Sequence, residues 1–272
     1  MINSHRTAII TGAAGALGAD IAIRLASEGY KITITDLPSR SQELQELADN
    51  ITKKEGEKPN AKKILVITGD VTKEKEVEEI VQKTVEHFGS LEVMVANHGL
   101  FYGSLLTNMP EDKWDAVMNV NAKGVFLCYK VAANQMLKQQ QDPADKDRGC
   151  SGAGYSGANL CSAYAASKFA IRGLTQAAAS ELGRANITVN AYAPGFIGGT
   201  EMYGIFEKSI NENFQLPEGA WNQIALENIR MKRLGEKRNV SSMVAYLASK
   251  DADWVTGTSF PVAVSRFYGG CF

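Results

Sequence analysis

Thr7-Ala8-Ile9-Ile10-Thr11-Gly12-Ala13-Ala14-Gly15-Ala16-Leu17-Gly18 is the stretch on which the fold turns. A short run suited to a buried strand stops at a cluster of glycines, and a helical pattern of apolar residues then runs from Leu17 to Glu28. Glycines at such a junction let the chain turn tightly and bring backbone amides to a helix N-terminus. There the unpaired N–H groups and the helix dipole favour a pyrophosphate. A glycine cluster alone is weak evidence, but a strand before it and a helix after it make it a dinucleotide-binding turn. The second strand, Lys31 to Thr35, runs into Asp36, roughly 20 residues on, where a carboxylate can accept hydrogen bonds from both hydroxyls of an adenosine ribose. A 2′-phosphate in that place would be repelled. No Arg or Lys occurs between Gly12 and Gly18, so the stretch points to NAD rather than NADP. The competing reading of Asp36 is an ordinary turn residue.

Outward from this turn, strand-like runs at Lys63 to Thr68 and Leu91 to Ala96 alternate with helical patterns at Ser41 to Glu55 and Lys73 to His87. That alternation is the signature of βαβ units and a parallel sheet. Strands buried on both faces read as nearly continuous apolar runs, as Ile64-Leu65-Val66-Ile67 and Val93-Met94-Val95-Ala96 do. Pro110 to Lys138 reads as one long helix with Pro110 in its first turn. Ser162 to Arg184 reads as another, followed by a strand at Ile187 to Ala191, helical segments across Met202 to Ser249 and a last strand within Thr258 to Val264. The expected architecture is α/β, a doubly wound parallel sheet (Rossmann fold), with residues 1–272 as a single domain. A fifth strand belongs between the long helix and Ser151, but Gln139 to Cys150 is too polar for a buried central strand, and none is found there.

The rest of the composition narrows the partners. With 272 residues, 44% apolar, 22% charged and a net charge of −1, the chain has the profile of an ordinary globular protein and no bias toward nucleic acid or an anionic membrane. No apolar run approaches the roughly 20 residues that span a bilayer. Met1 to Ile10 passes straight into a strand pattern without the features of a signal peptide, so the expected compartment is the cytoplasm. Cys128, Cys150, Cys161 and Cys271 lack metal-ligand spacing, which points to free thiols and no metal site.

Tyr164-Ala165-Ala166-Ser167-Lys168 carries the candidate chemistry, because residues four apart on a helix share a face. A phenol with a pKa of about 10 is a poor acid or base at neutral pH, and moving it by roughly three units takes about 4 kcal/mol of preferential stabilisation of its anion. A fixed ammonium nearby can supply much of that. On its own the pair also reads as a surface Tyr and Lys of an ordinary helix.

With the glycine turn, Asp36, Asn97-His98-Gly99, Asn121 and the Tyr/Lys pair all in order, the chain resembles the short-chain dehydrogenase/reductase family over nearly its whole length. In that family Thr-Gly-x-x-x-Gly-x-Gly forms the cofactor turn; Gly12 and Gly18 match, while Ala16 stands at the middle glycine, flanked by Gly15 and Leu17. The resemblance implies that Asp70 and Val71 hold adenine and that Asn97 and Gly99 follow the fourth strand, with Ala96 and His98 as departures from its Asn-Asn-Ala-Gly motif. It implies a catalytic set of Asn121, Ser151, Tyr164 and Lys168, with Asn121 holding a helix distortion and a water that relays protons to Lys168. Tyr164 and Lys168 would also contact the cofactor. Ser151 lies 13 residues before Tyr164, the family's usual spacing, with Ser156 and Ser162 as alternatives. Pro194, Gly195, Ile197 and Thr200 match the segment beside the nicotinamide, with Thr200 one residue late, and the closing Asp-Gly-Gly keeps its glycines without the Asp.

On this reading the chain transfers hydride between NAD(H) and a small neutral secondary alcohol or ketone. Phe101, Tyr102, Met202, Tyr203, Phe206 and Trp221 are candidates for the pocket wall, and core packing explains each equally well. The lack of an Arg cluster favours a neutral substrate. His98 reads either as a tuning residue or as a structural His. The family also implies a homo-oligomer, a tetramer or dimer, built on the long helices. The rival readings are a catalytically silent NAD-binding sensor or scaffold, and a lyase or dehalogenase on the same fold; Gly12, Gly18 and Asp36 argue against the latter.

Overall fold

The protein is described from a computed structural model covering residues 6–54, 63–139, 148–152 and 160–263. The alternation read from the sequence is realised as β1 (Thr7–Thr11), α1 (Ala16–Ser27), β2 (Lys31–Asp36), α2 (Ser41–Lys54), β3 (Ile64–Thr68), α3 (Glu74–Phe88) and β4 (Val93–Val95). Then come α4 (Glu111–Met118), α5 (Gly124–Gln139), β5 (Arg148–Gly152), α6 (Ser162–Leu182), β6 (Ile187–Pro194), α7 (Glu201–Asn213), α8 (Ala220–Asn228), α9 (Lys237–Ala248) and β7 (Ser259–Val262). Among the described residues the strands form one sheet in the order β3-β2-β1-β4-β5-β6-β7, and every pairing is parallel. The chain winds outward from β1 through β2 to β3, then returns to β4 on the other side of β1. That reversal leaves a crevice at the carboxyl ends of β1 and β4, where ligands of such sheets bind.

The period of two along β1 explains the two cores. Ala8 and Ile10 face the layer of α1, α2 and α9, where Ile21, Leu25, Leu44 and Val244 are buried with them. Ile9 faces the opposite layer, packed with Val77, Ile80, Val125, Leu127 and Ile171 of α3, α5 and α6. Full burial of each such side chain contributes about 1.5–3 kcal/mol, so both layers stabilise the sheet.

Two expectations are corrected. The fifth strand is present: Arg148-Gly149-Cys150-Ser151-Gly152 pairs Met94 with Cys150 on one side and Ser151 with Asn190 on the other. A central strand is fixed by hydrogen-bond ladders on both flanks, and a sequence with two glycines in five residues can satisfy those ladders without apolar alternation. Residues 140–147 of the polar run lie outside the described residues. The expected long helix, in turn, is interrupted. Pro110 is the N-cap of α4, and a wide π-helical turn at Asn119–Lys123 separates α4 from α5. Such turns cluster at functional sites because they free backbone groups and re-aim side chains.

Candidate active site

The dinucleotide end begins at β1. Gly12 has φ +63°, and a methyl group there would meet the His98 Cα at 2.8 Å. One at Gly18 would stand 2.2 Å from the Gly12 carbonyl oxygen, so neither position accepts a side chain. Gly15 caps α1 with no side-chain hydrogen bond, and the first turn, which holds Ala16 and Leu17, carries no acid. An anion therefore meets an uncompensated helix N-terminus. Asp36 closes the turn from the β2 side: its carboxylate accepts from the Ala14 N–H at 3.0 Å and from the Leu37 N–H at 2.9 Å. Burial works against ionisation of Asp70, but hydrogen bonds from Thr72 and the Lys73 ammonium outweigh it and hold its carboxyl below the usual range. Val71 lies against Gly124, where a methyl group would meet its Cγ2 at 3.2 Å. A glycine cradle, an open helix start and a carboxylate at the end of β2 fit a dinucleotide.

Asn121 sits in the π-helical turn, fully buried, and bonds three ways. Its Oδ1 accepts from the Leu100 N–H at 2.7 Å, while its Nδ2 donates to the Leu100 carbonyl at 2.9 Å and to Ser167 Oγ at 3.0 Å. Those bonds tie the loop after β4 to α6, which carries Tyr164 and Lys168. Lys168 Nζ lies 5.2 Å from the centre of the Tyr164 ring. The Lys168 side chain is buried, and desolvation pulls its ammonium down to about 8. Among the described residues no carboxylate forms an ion pair with it. Gly99 marks where these groups converge: a methyl group there would stand 3.6 Å from Asn121 Oδ1 and Met202 Cε and 3.8 Å from Lys168 Nζ. Asn121, Tyr164, Lys168 and Gly99 are thus brought to one place.

The remaining expected residues are placed as follows. Ser151 stands at the carboxyl end of β5, level with Val95 and Asn190. Ser162 opens α6 with its hydroxyl buried and, among the described residues, without a hydrogen-bond partner, and Ser156 lies outside the described residues. Pro194 ends β6, and the Gly195 N–H donates to the Val262 carbonyl at 3.2 Å. Thr200 caps α7: its hydroxyl donates to the Ile197 carbonyl at 3.0 Å and accepts from the Tyr203 N–H at 3.3 Å. Asn97 bridges the crevice, donating from Nδ2 to the Gly12 carbonyl at 3.2 Å.

Three site residues escaped the sequence reading. Ser167, inside the Tyr/Lys motif, receives the Asn121 bond and donates to the Tyr164 carbonyl at 2.7 Å. Tyr192 on β6 donates to Asn97 Oδ1 at 3.1 Å, and burial together with the nearby Tyr164 pushes its phenol well above the ordinary range. Phe196 stacks on Phe206 at 5.6 Å and meets Trp221 edge-on at 5.9 Å. The only sequence signal for Tyr192 and Phe196 was that they flank Pro194-Gly195. Phe101 joins this aromatic wall to the Tyr164 ring, edge to face at 5.5 Å, while Tyr102 lies outside the cluster.

The family model for short chain dehydrogenase matches residues 6–210. A short-chain dehydrogenase/reductase of Hericium erinaceus is 38% identical over 97% of this chain and 99% of its own. Diacetyl reductase [(S)-acetoin forming] of Staphylococcus epidermidis is 37% identical over 93% and 95%. The crystal structure of levodione reductase superposes with a TM-score of 0.84 at 29% identity, covering 98% of this chain and 99% of that one. By motif, sheet order and relatives, the chain belongs to the short-chain dehydrogenase/reductase family, whose members are oxidoreductases that typically work with a nicotinamide cofactor.

Proposed function

We propose that the protein, acting as one domain, is an NAD(H)-dependent oxidoreductase that interconverts a small neutral ketone and its secondary alcohol, with Tyr164 as the general acid and base. The observation that carries this reading is the buried Lys168 ammonium beside the Tyr164 ring. A desolvated cation stabilises a developing phenolate far more than the same charge does in water. The bound nicotinamide supplies or accepts the hydride. Tyr164 donates its phenolic proton to the carbonyl oxygen in reduction and takes the alcohol proton in oxidation. Lys168 stabilises the phenolate and holds the nicotinamide ribose. Ser151 orients the substrate oxygen, and Asn121 holds the widened turn against α6 and a proton-relaying water near Lys168. Gly12, Gly15, Leu17 and Gly18 receive the pyrophosphate, Asp36 the adenosine ribose, and Asp70 with Val71 the adenine. Asn97, Gly99, Pro194, Gly195, Ile197 and Thr200 border the nicotinamide half.

The aromatic wall of Phe101, Phe196, Phe206 and Trp221 supports an uncharged substrate with an apolar body. Two of the similar proteins are named for reducing diacetyl and levodione, both uncharged carbonyl compounds. The silent-binding alternative rests on the missing strand and the altered glycines; β5 removes the first of these, while Ala16 still stands at the middle glycine of the cofactor turn. Large apolar side chains left exposed on α5 and α6, Phe126 at 45% and Phe169 at 49%, support a dimer or tetramer through these helices, which sedimentation velocity would read directly. Among the described residues no helix is long and apolar enough to cross a membrane; a cytoplasmic site remains our reading of the sequence. The test is a panel of neutral ketones, diketones and diols with NAD(H) and NADP(H). No turnover on any of them, with NADH bound, would favour the silent reading instead.

Cofactor choice gives a separate prediction. Asp36→Ser removes the charge that repels a 2′-phosphate, while Arg40, whose Nη2 already donates to the Ala14 carbonyl at 3.3 Å, stays close by. The ratio of kcat/KM for NADPH to that for NADH should rise by about 100-fold, roughly one charge-assisted hydrogen bond's worth of discrimination. A wild-type preference for NADPH would overturn the assignment of NAD.

A further inference from the structure

His98 stands between the cofactor turn and the end of the π-helical turn. Its Nδ1 lies 2.7 Å from Thr11 Oγ1. The same hydroxyl accepts the Asn97 N–H at 3.1 Å, and its contact with the Val95 carbonyl is long at 3.4 Å. A hydroxyl has one proton to give, and the short contact takes it. Nδ1 is then the acceptor, and the imidazole proton resides on Nε2. That nitrogen points at the widened turn, for a methyl group on Gly124 would meet it at 2.6 Å. The Val120 carbonyl of the same turn acts electrostatically on the ring, and among the described residues Nε2 has no bonded partner. The His98 backbone is pressed against the cofactor turn, because a methyl group on Gly12 would meet its Cα at 2.8 Å. Burial first, and the Lys168 ammonium second, keep the imidazole neutral.

We propose that His98 is a positioning residue: a neutral, Nε2-protonated strut, hydrogen-bonded to the cofactor turn at Thr11 and packed against the turn carrying Asn121, so that dinucleotide binding and the placement of Asn121 and Lys168 are coupled. Its catalytic consequence rests on the oxidoreductase reading above. A residue that merely filled space would be replaceable by any group of the right volume. A strut with a fixed acceptor facing Thr11 would not.

Three variants separate these cases. His98→Ala deletes the ring, and His98→Ala with Gly124→Ala returns a methyl group to the vacated space without a polar atom. His98→Asn restores an acceptor oxygen near the Nδ1 position. Nitrogen-15 spectra of the unliganded wild type should show His98 as the Nε2–H tautomer, not titrating near neutral pH. His98→Ala should weaken NADH binding, read by fluorescence, and lower kcat, each by about 10–100-fold, the scale of a small misplacement of catalytic groups. The double variant should recover much of the lost thermal stability but neither function, and His98→Asn should recover part of both. A double variant with NADH affinity and kcat within about twofold of wild type would make His98 a filler. An Nδ1–H tautomer would overturn the strut outright. The tautomer and NADH-binding readouts need no turnover, so a wild type inactive on every ketone sinks the proposed reaction while leaving this inference to its own two measurements.

Discussion

Tyr164→Phe is expected to lower kcat for ketone reduction by about 1,000-fold, while NADH binds within a few-fold of wild type. The size follows from what is removed. Positioned proton transfer contributes about 100- to 10,000-fold, and an unassisted carbonyl oxygen must otherwise draw its proton from water. The substitution leaves the remaining contacts intact, because the ring still meets Phe101 edge-on and still lies under Lys168 Nζ. Loss of turnover would therefore not be loss of fold, and an unchanged melting temperature would establish that. Among the described residues, Tyr192 is a phenol close enough to feel Tyr164, but its hydroxyl is committed to Asn97 and burial holds its proton more tightly than in water. Steady-state rates with NADH and the best ketone of the panel decide the matter. A variant retaining near-normal turnover would remove Tyr164 from the chemistry altogether.

The residues legible in the sequence were those whose job is done by local backbone. Thr7 to Gly18 declares a strand, a turn and a helix because glycine at φ +63° and an uncapped helix start are properties of a short segment. Asp36 follows from the length of one βαβ unit, and Tyr164 with Lys168 follows from helical spacing. What stayed hidden depended on residues far apart in the chain. β5 is Arg-Gly-Cys-Ser-Gly, and only its ladders to β4 and β6 make it a strand. The π-helical turn exists where Asn121 reaches across to Leu100 and Ser167, 21 and 46 positions away, so the pattern from Pro110 to Lys138 reads as one unbroken helix and only the family resemblance points to a distortion at Asn121. Tyr192 entered the site through Asn97, 95 residues earlier, with no motif to announce it. His98 was visible as a departure from the family pattern, but its bond to Thr11 was not.

Lys168→Met should move activity and stability in opposite directions. Desolvation lowers the Lys168 ammonium from 10.5 to about 8, so at neutral pH the folded chain carries a cation that the unfolded chain would hold in water. A shift of that size corresponds to about 3 kcal/mol of destabilisation where both states are protonated. Between pH 8 and 10.5 the folded state binds fewer protons than the unfolded one. Wild-type stability attributable to this group therefore rises with pH across that window, and the penalty is fully present below it. Met keeps the unbranched stem without the charge, so the unliganded variant should be more stable by about 1–3 kcal/mol at pH 7, the gain fading toward pH 10.5. Turnover should fall at least 100-fold, because the phenolate of Tyr164 loses the cation that makes it accessible. Denaturant melts at several pH values, paired with rates, read both effects. If the variant is less stable at pH 7 and the wild-type curve is flat over the window, Lys168 is already compensated in the free protein and cannot be holding charge in reserve for Tyr164. If both shifts occur, the chain keeps a destabilising group at the one place where removing it abolishes turnover, as expected when a site is built for the transition state at the expense of the resting fold.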